Sequence, residues 1–171
     1  MTWCSPDNDG YTDFDEVLYG GNPNDPSGVP QPLTTYSQTF EGTPNLAAWT
    51  MPSSSSAIWA TDALIPHAGT ASFKSGSVSN GQTSSVKFRG FFTAGVLSFW
   101  ARVDSGSCCN RMDVYVDGVQ SLYLSGGPQW YNHTLQMTLG IHEIEWRYQR
   151  DSYGGLASDS ARIDDVVFTG Q

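Results

Sequence analysis

Residues 95–103, GVLSFWARV, alternate along the chain. Leu97, Phe99, Ala101 and Val103 fall on one side, Val96, Ser98, Trp100 and Arg102 on the other. Period-two alternation predicts a strand with two unlike faces. Two later stretches repeat it. In MDVYVDG, Met112, Val114 and Val116 oppose Asp113, Tyr115 and Asp117; in HEIEWRYQR, Ile144, Trp146 and Tyr148 oppose Glu143, Glu145 and Arg147. If the three share one sheet, its outer face carries Trp100, Arg102, Asp113, Tyr115, Glu143, Glu145 and Arg147, a mixture of aromatic rings and charge.

Shorter signals of the same kind recur from Thr35 onward with turn residues between them. Strands are expected near 36–41, 56–60, 70–74, 84–88, 95–103, 112–116, 121–124, 131–137, 140–149 and 161–169. Asp117-Gly118 is a hairpin signal, and Leu139-Gly140 is a second, weaker one. No amphipathic helix longer than a few turns is evident. About ten strands suit two packed sheets, so the expected fold is all-β, a two-sheet antiparallel sandwich occupying residues 35–171.

Composition narrows the function. The chain has 171 residues, enough for one domain with a small appendage. Asp and Glu number 17 against 8 Lys and Arg, a net charge of −9 that argues against nucleic acid as a partner. No apolar run reaches the ~20 residues of a membrane span. No leader segment stands at the start. The scarcity of Lys and abundance of Ser, Thr, Gly, Trp and Tyr nevertheless suggest a secreted or cell-surface protein, and so an internal or C-terminal piece of a larger parent whose other domains are attached. Of three cysteines, Cys4 can pair with Cys108 or Cys109, leaving one thiol over, and a strained bridge between the adjacent Cys108 and Cys109 is the alternative. No CxxC accompanies them, so zinc is not expected.

The acidic stretch 5–16, SPDNDGYTDFDE, matches the spacing of an EF-type calcium loop when Gly10 takes the sharp-turn position. Asp7, Asp9, Asp13 and Glu16 then supply side-chain oxygens and Tyr11 a backbone carbonyl; Ser5 stands at the first position, where Asp is usual. A calcium ion wants six to eight oxygens, which clustered carboxylates on a glycine turn provide. The stretch 7–25, DNDGYTDFDEVLYGGNPND, resembles the thrombospondin type 3 repeat in its acidic loop and its G-x-N-P-x-D tail. The resemblance covers about one repeat and implies a calcium-stiffened spacer. With the Pro-rich connector that follows, it would occupy residues 1–34.

The order of cues in the rest of the chain resembles the jelly-roll group that includes MAM-like, concanavalin A-like and several carbohydrate-binding modules. These cues are Phe40-Glu41-Gly42, Trp49, GTASFKSG at 69–76, residues 95–102, the hairpin at 113–118, the corner at 127–130, GIHEIEWRY at 140–148 and IDDVVF at 163–168. The resemblance implies that the first and last strands lie side by side. It also implies that Glu41 and Asp165, with Asp164 a weaker candidate, join backbone carbonyls around a structural calcium.

The mixed face suits a sugar. Flat rings such as Trp100 and Tyr115 cover the C–H face of a pyranose, while Arg102, Asp113, Glu145 and Arg147 reach its hydroxyls. Aromatics are also good strand formers, and cross-strand Arg–Glu pairs are ordinary sheet decoration. Trp49 and Trp59 are expected in core or corner packing, as is Trp130, which can also reach a loop-end site. Catalysis is not expected. Glu143 and Glu145 share a face, but no third acidic residue follows on the strand. His67, His133 and His142 belong to no triad motif. HEIEW lacks a second zinc-binding His. The expected function is a non-catalytic, calcium-binding module that targets or adheres to a polysaccharide or surface glycan. The alternatives are a MAM-like structural or protein–protein module without sugar affinity and, further off, a glycosidase or lyase on the same sandwich.

Overall fold

The computed structural model describes residues 7–105, 110–151 and 159–171. Ser5 and the pairing expected among Cys4, Cys108 and Cys109 lie outside the described residues.

Eleven strands follow one short helix among these residues: α1 (Asp13–Tyr19), β1 (Thr35–Gln38), β2 (Trp49–Thr50), β3 (Ala60–Asp62), β4 (Ser72–Lys74), β5 (Thr83–Phe92), β6 (Gly95–Asp104), β7 (Arg111–Val116), β8 (Val119–Ser125), β9 (Tyr131–Met137), β10 (Gly140–Gln149) and β11 (Ser160–Gly170). They form two antiparallel sheets, the jelly-roll sandwich expected. One sheet has the order β2-β5-β10-β7-β8; the other runs β3-β4-β11-β6-β9, with β1 also paired to β11. The first and last strands are therefore neighbours, in the register Thr35↔Thr169 to Gln38↔Val166.

The alternation read from the sequence is the alternation seen. Leu97, Phe99, Ala101 and Val103 of β6 are buried, as are Met112 and Val114 of β7 and Ile144, Trp146 and Tyr148 of β10. Trp146 crosses the core. It stacks on Trp49 at a centroid distance of 5.4 Å and meets the Phe99 ring of the opposite sheet edge-on, also at 5.4 Å. Such aromatic pairs add about 0.5–1.5 kcal/mol each beyond their buried area. Trp49 and Trp59 are core residues, as expected.

The shared sheet is not seen. β6 belongs to the six-stranded sheet, whereas β7 and β10 belong to the five-stranded one. Alternation tells which side of a strand is buried, not which strands are its neighbours. The Leu139-Gly140 hairpin is likewise corrected. β9 pairs with β6 and β10 with β5 and β7, so the chain changes sheet there, with Gly140 at φ +145°. Asp117-Gly118 does close the β7–β8 hairpin, both residues having positive φ. The strand expected over 36–41 stops at Gln38, because Phe40 turns out of it at φ +59° and drops into the core. The strand expected at 56–60 begins only at Ala60, and two-residue β2 carries too short a pattern to be read.

α1 is short but well terminated. Thr12 caps its N-terminus by accepting from the Asp15 N–H, Gly20 ends it at φ +78°, and Asp13, Asp15 and Glu16 in its first turn suit the helix dipole. From residue 7 on, the stretch expected as spacer and connector lies against the sandwich. Phe91 points outward from β5 yet is buried, because the Tyr11 and Tyr19 rings cover it at 5.6 and 6.4 Å. Backbone hydrogen bonds Gln31 N–H to Tyr19 O, Leu33 N–H to Phe91 O and Thr93 N–H to Leu33 O continue the attachment.

Candidate functional site

The outer face of the five-stranded sheet is a lattice of paired charges. Register sets Glu145 between Lys87 and Tyr115, and Arg147 between Ser85 and Asp113. Arg147 donates from Nε to Glu145 Oε1 at 2.8 Å and from a terminal nitrogen to Oε2 at 3.1 Å, while its guanidinium lies 4.4 Å over the Tyr115 ring. Lys87 bonds Glu143 at 2.6 Å and approaches Glu145 at 3.9 Å. Arg111 grips Asp113 at 2.9 Å and lies 5.5 Å over Tyr123, and the Gln120 amide also donates to Asp113. The hydrogen bond to Glu145 holds the Arg147 pKa above its ordinary value, so the cation is secure. Asp113 and Glu145 are almost wholly buried, at 1% and 7% exposure, and fix in direction the partly exposed guanidiniums and rings that lie over them.

Of the six residues expected to share a binding face, this surface brings together Asp113, Tyr115, Glu145 and Arg147. Trp100 and Arg102 sit on the outer face of the other sheet, so the single six-residue platform is corrected to four residues on one face and two on another. Trp100 is not an open platform there. The His67 ring stacks on it at a centroid distance of 3.9 Å and 17° between planes, and Trp130 meets His67 edge-on at 5.7 Å. Arg102 turns to Asp104 at 2.7 Å, beside the buried Arg162, which bridges Asp62 and Asp104.

A bulge explains the His67 cover. β11 slips register against β6 between Asp164 and Val167, with Asp165 at φ +46°. The bulge sits where β11 passes from pairing with β4 to pairing with β1. It sends both carboxylates toward the loop at 67–71. Asp164 accepts the His67 backbone N–H at 3.0 Å, and Asp165 meets His67 Nδ1 at 2.8 Å. Burial pushes the Asp164 carboxyl up, only partly offset by the backbone N–H groups of His67 and Asp165 that it accepts. Glu41 serves the same loop. Its oxygens accept the Thr70 and Ala71 N–H groups and the Thr70 hydroxyl, which holds its pKa down. Glu41 and Asp165, expected to share an ion, thus each have protein donors.

The acidic loop has too few. Asp7, Asp9 and Glu16 each offer an oxygen within 4.8 Å of the others. Asn8 and Gly10, both at positive φ, curl the loop, and α1 delivers Glu16 to its centre. Glu16 is 0% exposed, and among the described residues neither of its oxygens has a hydrogen-bond donor; Asp9 Oδ2 and Asp13 Oδ1 lack one there too. Burial, then the charges of Asp7, Asp9 and Asp13, pushes the Glu16 carboxyl up. Tyr11 lends its N–H to Asp9 Oδ1 at 2.8 Å. Unpartnered buried carboxylate oxygens are costly, and an oxygen-only donor set of this kind fits a hard cation such as calcium.

Two features of the site had no sequence signal. His67 carries no motif. The ion pair between Arg89 and Asp15 joins residues far apart in the chain, which only the fold brings together.

No family profile matches the sequence, and no curated protein matches it. Solved structures do resemble the fold. The secreted serine protease VesC from Vibrio cholerae matches with a TM-score of 0.58 at 15% identity over 74% of this chain, which spans only 26% of the protease. The K3 cleaved adhesin domain of Lys-gingipain from Porphyromonas gingivalis gives a TM-score of 0.59 at 18% identity, covering 80% of this chain and 98% of that domain. The C-terminal family 22 carbohydrate-binding module of Clostridium thermocellum Xyn10B gives 0.54 at 16% identity, covering 79% and 92%. At such identities the likeness is one of fold.

Proposed function

We propose that this chain is a non-catalytic module of a secreted protein. It binds a neutral polysaccharide or surface glycan on the outer face of the five-stranded sheet and is braced by calcium in the acidic loop. The observation that carries the reading is the Arg147 guanidinium, clamped by Glu145 and laid over Tyr115. Sugar hydroxyls need donors and acceptors fixed in direction, and an amphipathic ring edge suits the C–H face between them. In the Xyn10B module, amino acids of a cleft have a role in ligand binding, and the shared fold supports a similar use here. Glu143 and Glu145 are both engaged by Lys87, and Glu145 also by Arg147, an arrangement for holding a ligand rather than for moving protons onto one.

Affinity electrophoresis in gels containing mixed-linkage β-glucan, arabinoxylan or galactomannan tests this reading. Tyr115→Ala and Arg147→Ala are expected to weaken retention about tenfold or more, roughly 1.4 kcal/mol. The melting temperature should shift by only a few degrees, because partly exposed ion pairs contribute about 0–1 kcal/mol. Trp100→Ala, on the other sheet, should retain binding. Full retention by both the Tyr115 and the Arg147 variants rejects this face as the site.

A further inference from the structure

α1 stands on the same outer face as the charge lattice, and between them lies a groove. Thr12, Phe14, Ala48, Thr50, Arg89 and Glu143 line it. Its volume of about 330 Å³ lies at the lower end of the range of small-molecule sites. Arg89 and Glu143 are register partners, and Glu143 holds Lys87, so the groove runs directly into the surface around Glu145, Arg147 and Tyr115.

The helix is gripped on two sides by consecutive residues. Asp15, 1% exposed, takes two hydrogen bonds of 2.7 Å from Arg89. Glu16, next to it, turns into the acidic loop. The sheet thus holds one side of this turn of helix, and the carboxylates of Asp7, Asp9 and Glu16 meet on the other, with Asp13 outside that group. Like charges brought together without a cation push apart. The residues their repulsion would displace are Asp15, which anchors the helix, and Phe14, which walls the groove.

We propose that α1 and the loop before it are one wall of the carbohydrate cleft, that a sugar unit of the chain bound at Tyr115 and Arg147 occupies the groove against Phe14, and that calcium on Asp7, Asp9 and Glu16 holds this wall in place. The proposal rests on the calcium and glycan readings above. It adds that the two sites are one device: the glycan is bound tightly only when the ion is in.

Calcium titration of the whole chain by calorimetry, and affinity electrophoresis in CaCl2 or EGTA, are read together. The wild-type chain should bind calcium and lose about tenfold or more of its polysaccharide retention in EGTA. Phe14→Ala should weaken retention about as far while its calcium affinity stays unchanged. Arg89→Ala should bind weakly and equally in CaCl2 and EGTA. A chain that binds no calcium overturns both the calcium reading and this proposal. A chain that binds both ligands, with retention indifferent to EGTA and to Phe14→Ala, overturns the proposal alone and leaves the two readings intact. Hydrogen exchange serves if no polysaccharide of the panel is retained. Calcium should slow exchange at the Gln31, Leu33 and Thr93 amides in the wild type and not in Arg89→Ala, and an absence of any calcium effect there overturns the proposal.

Discussion

Glu16 sets the behaviour of the acidic loop. Its carboxyl is pushed above the ordinary range by burial and by Asp7, Asp9 and Asp13. A carboxyl whose folded pKa is raised binds its proton more tightly folded than unfolded, so stability falls as pH rises from the unfolded pKa through the folded one. In metal-free protein the docked N-terminal segment should therefore be firmer at pH 4.5 than at pH 7. Saturating calcium should remove or reverse that slope, because the ion favours the ionised form. Hydrogen exchange of the Tyr11 and Glu16 amides across this range, with and without calcium, checks it; identical profiles in the two conditions would contradict calcium at this loop. At this scale the meeting of Asp7, Asp9 and Glu16 was legible, because spacing around a glycine turn is a local property of the chain; Asp13, expected with them, does not join that group. Trp100 was not. Its exposure depends on His67, which an ordinary loop carries to it, and on a bulge at Asp165 that the letters IDDVV do not announce.

The strands themselves were the most legible part of the molecule. β6, β9 and β10 lie almost where alternation puts them, because their two faces meet different surroundings over seven to ten residues. Short elements escaped: β2 has two residues, and β1 ends early at Phe40. Sheet membership was not legible, since it depends on what connections do. Gly140 is the instructive connection. Its φ of +145° lets the chain leave one sheet and begin β10 in the other with only two residues between Met137 and Gly140. That backbone region is essentially closed to side chains, so Gly140→Ala should destabilise the fold by on the order of 1–3 kcal/mol. Urea unfolding measures it. A loss below about 0.5 kcal/mol, the ordinary surface range, would show that the pivot tolerates a Cβ.

The whole molecule carries a net charge of −9, yet the four expected residues on the five-stranded sheet are two acids, one base and a ring. The positive groups Lys87, Arg89, Arg111 and Arg147 of that sheet are each paired with a carboxylate. A ligand that suits such a balanced surface is uncharged. Its affinity should change by less than about twofold between roughly 0.05 and 0.5 M NaCl, in gels run at both strengths. A steep loss with salt would point to an anionic ligand instead. The docking of residues 7–33 onto the sandwich was not legible, because it depends on Tyr11, Tyr19 and Asp15 meeting Phe91 and Arg89 far along the chain.

The position of β11 has a consequence for how this protein comes into being. Residues 160–170 are flanked by β6 on one side and by β4 and β1 on the other, so three earlier strands share a neighbour that is synthesised after all of them. Until that stretch has emerged, half of the sandwich lacks its keystone and leaves backbone edges unsatisfied. Such non-local pairing makes assembly slow and exposes it to misassociation, so a ribosome-bound chain stopped short of Ser160 should remain open to chaperones and proteases.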